Sequence, residues 1–134
     1  MIKITREVIS PEAVVKEAKT SGSGCVATYV GLIRDKSRGK RVLTVEYEDT
    51  GGKAEDKLSE IAKKIKQKWP VNNVAIYHRV GKLKVGDINL VVAVAAAHRG
   101  EGFAACQYAI DQFKQELTTS KRETYEDGSV WTGE

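Results

Sequence analysis

Residues 88–97 read INLVVAVAAA, and this stretch decides the fold of the 134-residue chain. All of its residues except Asn89 are apolar. The run is about half the ~20 residues that a membrane-spanning helix needs. We therefore interpret it as a long apolar strand of a folded domain.

Shorter strands are indicated on both sides of this segment by alternating apolar residues and by turn residues. Alternation at Ile2 and Ile4 predicts the first strand, and Gly31 marks a possible bulge in the second. The other predicted strands are Cys25–Ile33, Val42–Glu48 as its hairpin partner, Val74–Val80, a short segment between Gly81 and Gly86, and two strands joined by an Asp127-Gly128 turn.

Three helices are indicated by caps and by apolar residues at helical spacing. Ser10-Pro11 is typical of a helix start, and a single apolar face predicts a helix over Lys53–Trp69 that Pro70 ends. The last helix is predicted from an apolar stripe of Phe103, Cys106, Ile110, Phe113 and Leu117. Strands mixed with three helices favour one α+β domain over residues 1–134, with a mostly antiparallel sheet.

The composition fits a globular domain, because hydrophobic residues make up 41% and charged residues 30%. These values exclude a disordered tail and a membrane protein. Met1–Ser10 contains Lys3, Arg6 and Glu7 and lacks the apolar core of a signal peptide. We therefore expect a cytoplasmic protein.

Residues 34–41, RDKSRGKR, carry five basic residues and one acidic residue, and the resulting charge of +4 equals that of the whole chain. Such a run is either a solvated loop or part of an anion-binding surface. A nucleic-acid-binding module is one alternative function. It is disfavoured because aromatic residues are only 7% of the chain and none lies within the run to stack on bases.

Cationic residues also follow regular elements at three sequence-distant places. These are Arg34 after the second strand, His98-Arg99 after the long apolar strand, and Lys114 with Lys121 near the end of the last helix. Ends of rigid elements are where a scaffold can aim side chains at a ligand. The pattern predicts a pocket for anions.

Two of these residues allow alternative interpretations. Lys114 lies roughly 70° from the centre of its apolar stripe, so it either covers apolar surface with its stem or places a partly desolvated ammonium in a cleft. His98 either makes a structural hydrogen bond or moves a proton. His78 fits a buried structural position. We find no metal-ligand spacing and no activated nucleophile, so no metal is predicted and the attacking group is expected to arrive with a partner or substrate.

Several motifs in a fixed order make the chain similar to the family of the catalytic, large subunit of molybdopterin synthase. The motifs are Thr28-Tyr29-Val30-Gly31-Leu32-Ile33-Arg34, Val45-Glu46-Tyr47-Glu48, His78-Arg79-Val80-Gly81-Lys82-Leu83, Ala97-His98-Arg99, and Lys114 followed seven residues later by Lys121-Arg122-Glu123. The resemblance runs from about Ile2 to Trp131.

This resemblance implies a sulfur transferase with an α/β hammerhead fold. It implies that cyclic pyranopterin monophosphate is converted to molybdopterin, the pterin of the molybdenum cofactor, with no resident cofactor. The sulfur donor is the C-terminal Gly-Gly thiocarboxylate of a small ubiquitin-like partner subunit. The family's large subunit forms a homodimer that carries a small subunit at each end, as a heterotetramer.

The resemblance also implies roles for individual residues. Lys114 and Lys121 are the expected catalytic residues: Lys114 stabilises developing charge, and Lys121 holds or protonates a leaving oxygen. Arg34 and Arg99 suit the cyclic phosphate, Glu123 orients a lysine, and His98 relays a proton. The expected substrate-binding positions are Leu32, Ile33, Arg34, His98, Arg99, Lys114, Lys121, Arg122 and Glu123.

One departure from the family pattern lies just before Lys121. Thr118-Thr119-Ser120 stand where the family usually has proline, an apolar residue and tryptophan. The change puts the rigidity of this segment in question. It keeps open a second hypothesis, in which the chain is a non-catalytic scaffold that binds the small subunit.

Overall fold

The computed structural model describes residues 1–116 and 119–133. Leu117, the last residue of the predicted helical stripe, and Thr118 lie outside the described residues. The elements, in chain order, are β1 Ile2–Thr5, α1 Pro11–Ala18, β2 Cys25–Leu32, β3 Lys36–Ser37, β4 Lys40–Glu48, α2 Ala54–Lys68, β5 Val71–Arg79, β6 Gly81–Lys84, β7 Ile88–Ala96, α3 Arg99–Glu116, β8 Ser120–Tyr125 and β9 Val130–Gly133.

The first sheet is built around β7 and has the strand order β1-β5-β7-β2. β7 is antiparallel to both β5 and β2, whereas β1 joins β5 in parallel. Side chains of β7 alternate between two cores: Val92 and Val94 pack with residues of α2 and α3, and Val91 and Ala93 pack with residues of α1. The sheet is therefore covered on both faces, which explains why β7 is apolar at consecutive positions.

The second sheet has the order β3-β4-β8-β9, with β6 also paired to β4. Val45, Tyr47, Leu83 and Tyr125 form part of its buried core. The predicted pairing of Val42–Glu48 with the second strand is wrong, because β2 pairs with β7 and β4 pairs with β3, β6 and β8. The intervening basic run makes its own hairpin, and the chain enters the second sheet there.

The predicted apolar stripe of α3 is partly wrong at its start. Phe103 is 65% exposed. The side buried against the sheet consists of Gly102, Ala105, Cys106, Ala109 and Phe113. Small residues let the helix axis approach β7 and β2 closely. A stripe of large apolar residues was therefore a poor guide to the buried face.

The predicted fold class is confirmed as a single α+β domain with three helices and mostly antiparallel sheets. The Ser10 cap is also confirmed, since its Oγ accepts a hydrogen bond from Ala13 N at 3.3 Å, as is the irregularity at Gly31. In the part of the chain that the structure describes, no helix combines the length and apolar character needed to cross a bilayer.

The antiparallel pairing of β2 and β7 decides where functional residues lie. Cys25 at the start of β2 pairs with Ala96 at the end of β7, and Leu32 at the far end pairs with Ile88. Arg34 therefore follows one end of the sheet, and His98-Arg99 follow the other. A strand of eight residues separates the two ends by about 25 Å.

His78 is a fully buried histidine between the two sheets and α3, in agreement with its predicted structural role. Its Nδ1 lies 2.8 Å from the carbonyl oxygen of Asn89, and its Nε2 lies 3.0 Å from Thr119 Oγ1. The carbonyl requires a proton on Nδ1, so Nε2 accepts from the threonine hydroxyl in the neutral ring. Burial lowers the pKa of His78, although the Asn89 carbonyl and the charge of Asp49 oppose that shift.

We expect the free energy of unfolding to fall as the pH drops below about 6.5, because the histidine of the unfolded chain then binds a proton that buried His78 resists. Urea unfolding of wild type and His78→Gln at pH 7.5 and pH 5.5 measures this. The wild type should lose about 1 kcal/mol more than the variant over this interval.

The exposed residue His98 provides the matched control, since the chain has two histidines. His98→Gln should keep the pH dependence of the wild type. An unchanged pH dependence in His78→Gln would contradict the proposed origin of the effect.

Candidate active site

A cavity of about 550 Å³ opens where the end of β2, the β3–β4 hairpin, the last turn of α3 and strands β8 and β9 meet. Each element supplies part of its lining. The lining includes Tyr29, Leu32, Ile33, Arg34, Lys36, Ser37, Arg38, Tyr47, Asn89, Phe113, Lys114, Lys121, Glu123 and Trp131.

The lining is strongly cationic. Its basic side chains are Arg34, Lys36, Arg38, Lys114 and Lys121, and Glu123 is the only acidic residue among the described lining residues. Five positive charges and one negative charge leave +4 around one cleft. Such a concentration of one sign of charge attracts anions and holds them. The cleft has the charge that the predicted anion pocket requires, and the predicted site residues Leu32, Ile33, Arg34, Lys114, Lys121 and Glu123 line it.

Lys36 and Arg38 were not predicted as site residues. They belong to the basic run of residues 34–41, for which the sequence left open a solvated loop or an anion-binding surface. A period of two does not account for them, because Ser37 lines the same cavity and Arg38 lies in the β3–β4 turn.

Glu123 is a buried carboxylate, 4% exposed, that organises one wall of the cavity. Its Oε1 accepts hydrogen bonds from Ser37 Oγ at 2.8 Å and from Tyr125 Oη at 2.6 Å. Its Oε2 lies 3.3 Å from Lys121 Nζ. The carboxylate therefore links the β3–β4 hairpin to β8 and fixes the position of the Lys121 ammonium.

The Glu123 carboxyl is ionised despite its burial. Burial by itself raises the pKa, but the hydrogen bonds from Tyr125 and Ser37 and the positive charge of Lys121 outweigh it, so that the pKa of Glu123 lies below its ordinary value. A permanent negative charge is therefore held beside Lys121 at neutral pH.

An uncharged polar wall lies beside the cations. Asn89 Nδ2 donates to Tyr47 Oη at 2.9 Å, and burial raises the pKa of Tyr47, which keeps this phenol neutral. A Cβ on Gly31 would lie 2.6 Å from Asn89 Oδ1, so a larger residue there would displace the Asn89 side chain. Asn89 and the two tyrosines of the lining were not predicted, because a single asparagine in an apolar strand carries no periodic signal.

The segment before Lys121 is tied down where the structure describes it. Thr119 is buried and bonds to His78, and Ser120 Oγ donates to the Glu48 carbonyl at 3.2 Å. Two polar side chains thus anchor the residues that replace the family's apolar residue and tryptophan. Thr118, which replaces the proline, lies outside the described residues.

Three of the predicted site residues are not in this cavity within one chain. His98 and Arg99 are exposed at the start of α3, whereas Lys114 is in its last turn. Fifteen residues of helix separate Arg99 from Lys114 by about 22 Å. Arg122 does not line this cavity and instead lines a second cleft together with Glu46, whereas Lys121 borders both. One copy of the chain therefore assembles only part of the predicted site.

Fold and cavity together define an α+β protein with a strongly cationic cleft. The sequence profile of the MoaE protein family matches residues 4–116. The chain is 35% identical over 131 residues to the molybdopterin synthase catalytic subunit of Halalkalibacterium halodurans, covering 98% of this chain and 84% of that protein. It is 35% identical over 133 residues to the human subunit of that name, covering 99% and 71%.

Solved structures agree with these matches. A molybdopterin synthase structure from Staphylococcus aureus superimposes with a TM-score of 0.90 at 31% identity, covering 98% of this chain and 95% of that one. A complex of subunits 1 and 2 of the molybdopterin-converting factor from Helicobacter pylori shares the fold at 16% identity, with a TM-score of 0.75 over 94% of this chain and 86% of that one.

The chain therefore belongs to the MoaE family, which includes catalytic subunits of molybdopterin synthase. The predicted family is confirmed, as is its role as an enzyme of molybdenum cofactor biosynthesis.

We expect Glu123→Gln to lower the free energy of unfolding at pH 7 by about 1–3 kcal/mol, because the buried carboxylate and its charged hydrogen bonds are lost. A carboxyl whose pKa is lowered in the folded state stabilises the fold at pH values above its ordinary pKa, ~4.3. This contribution is lost as the pH falls through the pKa of the folded state. The difference between variant and wild type should therefore shrink as denaturation curves are measured at increasingly acidic pH.

Glu126→Gln is the matched control, because Glu126 is exposed three residues further along the chain. It should change stability by less than about 0.5 kcal/mol. Equal effects of the two substitutions would refute the role of the buried carboxylate.

Proposed function

We propose that this chain transfers sulfur from the thiocarboxylated C-terminus of a small ubiquitin-like subunit to cyclic pyranopterin monophosphate, and so forms the dithiolene of molybdopterin. The observation that carries the proposal is the cleft in which five cations face a single buried carboxylate. The names of the relatives support the reaction class, and the complex of two subunits from H. pylori supports a small-subunit partner.

The charge of the cleft suits this reaction because both reactants are anions. Two unit negative charges about 4 Å apart repel by roughly 1 kcal/mol in bulk water and by about 4 kcal/mol near a protein surface. Cations on both sides of the cleft offset that repulsion. Arg34 lies on the β2 side and Lys114 on the α3 side, so the two reactants can be neutralised together.

Lys114 and Lys121 are proposed as the catalytic residues. The thiocarboxylate sulfur attacks a side-chain carbon of the pterin, where a carbon–sulfur bond forms as a carbon–oxygen bond breaks. Water then cleaves the thioester that links tail and pterin, which leaves the sulfur on the pterin and an ordinary carboxylate on the tail. A second thiocarboxylated tail supplies the second sulfur of the dithiolene. Lys114 is positioned to stabilise negative charge that develops on the acyl oxygen. Lys121 holds or protonates the leaving oxygen, and Glu123 orients the Lys121 ammonium through its 3.3 Å contact.

A second copy of the chain is proposed to complete the site. His98 and Arg99 lie about 22 Å from Lys114 along the same helix, so they serve the cleft only if they come from another protomer. In a two-fold dimer, each copy would lend the start of its α3 to the cleft of its partner. Arg99 would then contribute to binding the cyclic phosphate and His98 to proton transfer. We propose the homodimer, with a small subunit at each end, on this basis.

The alternative functions receive less support from the structure. No aromatic residue lies within the 34–41 run to stack on bases, which disfavours a nucleic-acid-binding module. A non-catalytic scaffold would bind the small subunit without turnover, so the experiment on Lys114 tests it. The cytoplasmic location stays a prediction, and so do the substrate contacts of Leu32, Ile33 and Arg122.

Lys114→Ala should reduce dithiolene formation by at least about 100-fold, because the charge on the acyl oxygen loses its cation. The assay mixes the purified chain with thiocarboxylated small subunit and the cyclic pterin and measures the fluorescence of the oxidised product. Lys66→Ala, on the exposed side of the last turn of α2, is the control and should keep full activity. Near wild-type turnover by Lys114→Ala would refute the assignment, and an inactive wild type that still binds the small subunit would favour the scaffold.

Mixed dimers test whether the site is shared between copies. Arg99→Ala and Lys114→Ala chains, co-expressed with different tags and isolated as mixed dimers, should recover about half of the wild-type activity. The reason is that one of their two clefts combines an intact Arg99 with an intact Lys114. Dimers of either variant alone should be strongly impaired. Mixed dimers as inactive as both parents would show that the residues do not act across the dimer.

A further inference from the structure

Arg38 has a place in the cleft that neither the sequence nor the family comparison assigns. It occupies the β3–β4 turn with φ of +55°, followed by Gly39 with φ of +75°. Backbone in this left-handed region is unusual for a residue with a side chain. The turn directs the arginine side chain back over the cavity that also contains Arg34 and Lys121.

The guanidinium of Arg38 packs on an aromatic ring. Its Cζ lies 3.7 Å from the centre of the Trp131 ring, which is the geometry of a cation–π contact. The backbone of Gly133 lies so close to this ring that a Cβ there would overlap it. The indole therefore packs against the backbone of Gly133, and the guanidinium of Arg38 packs against the indole.

One edge of the guanidinium faces a carboxylate, and its two terminal nitrogens are free to bind a ligand. Arg38 Nε lies 3.9 Å from Glu123 Oε1, the buried carboxylate that also holds Lys121. The Arg38 side chain is 52% exposed. Within residues 1–116 and 119–133, no hydrogen bond engages its two terminal nitrogens, which carry four N–H donors.

We propose that Arg38 is a further substrate-binding residue, which holds an oxyanion in the cleft through its terminal N–H groups. A planar fork of parallel donors matches a carboxylate-like group or a phosphate, and stacking on Trp131 fixes the fork before the ligand arrives. This inference rests on the proposed function, which supplies two such groups: the cyclic phosphate of the pterin and the C-terminal carboxylate of the small subunit.

A purely structural role makes a different prediction. If Arg38 only ties the β3–β4 hairpin to β9, then its removal lowers the melting temperature and leaves ligand affinity unchanged. Lys40 offers a matched comparison, since it is a cation two residues away that pairs with Asp127 at 3.3 Å and with Ser129 at 2.8 Å. Lys40 does not line the cavity.

The experiment measures two affinities by calorimetry for wild type, Arg38→Ala, Arg38→Lys and Lys40→Ala. The first is that of cyclic pyranopterin monophosphate without the small subunit, and the second is that of the small subunit with its ordinary carboxylate tail and no pterin. Arg38→Ala should weaken one of these by at least about tenfold. Arg38→Lys should recover only part of the loss, because an ammonium provides no fork. Lys40→Ala should bind both ligands like the wild type.

The affinity that falls identifies which oxyanion Arg38 holds. Less than a twofold change in both affinities for Arg38→Ala, with the fold intact by circular dichroism, would overturn the assignment of Arg38 alone. A wild-type chain that binds neither ligand would instead overturn the proposed function.

Discussion

The antiparallel pairing of β7 with β2 is the constraint on which the rest of the structure depends. β7 is buried on both faces and pairs on both edges, so its direction determines which residues lie at each end of the sheet. One end receives Arg34 and the last turn of α3, and the other receives His98 and Arg99. A single copy of the chain cannot bring these two groups together, and this separation is the physical reason for proposing a shared site.

At the cleft, a single buried carboxylate governs the arrangement of positive charge. A cavity with five cations and no acidic residue would push its side chains apart and out into solvent. Glu123 counters this because it accepts two short hydrogen bonds and contacts Lys121, which holds the β3–β4 hairpin against β8. The net charge of the lining remains positive, while the carboxylate holds the Lys121 ammonium in position. Neutral Tyr47 and Asn89 complete the wall without adding charge.

Local features of the fold could be predicted from the sequence, and long-range ones could not. The Ser10 cap, the helix that ends before Pro70, the strand of residues 88–96 and the Asp127-Gly128 hairpin follow from neighbouring residues alone. The partner of β2 depends on which distant strand buries its two faces best, and adjacency along the chain suggested the wrong one. The buried face of α3 was misjudged at Phe103 because close packing against a sheet selects small residues.

The site shows the same division. Lys114 was predicted to flank the helix stripe, and it does line the cleft, while Lys121 and Glu123 were implied by the family resemblance. Arg38, Trp131 and Asn89 were missed, since their roles arise from contacts between residues that are far apart in the sequence. The basic run carried no periodic signal, because its cavity-lining residues include consecutive positions and a residue in a turn.

We propose that the cleft holds two mutually repelling anions at the same time. Titration of cyclic pyranopterin monophosphate into the chain already bound to a small subunit with an unreactive carboxylate tail measures this directly. We expect the pterin to bind within about threefold of its affinity for the chain alone, because a factor of three is less than 1 kcal/mol. Displacement of the tail by the pterin, or a loss of pterin affinity that scales with occupancy by the small subunit, would contradict the account.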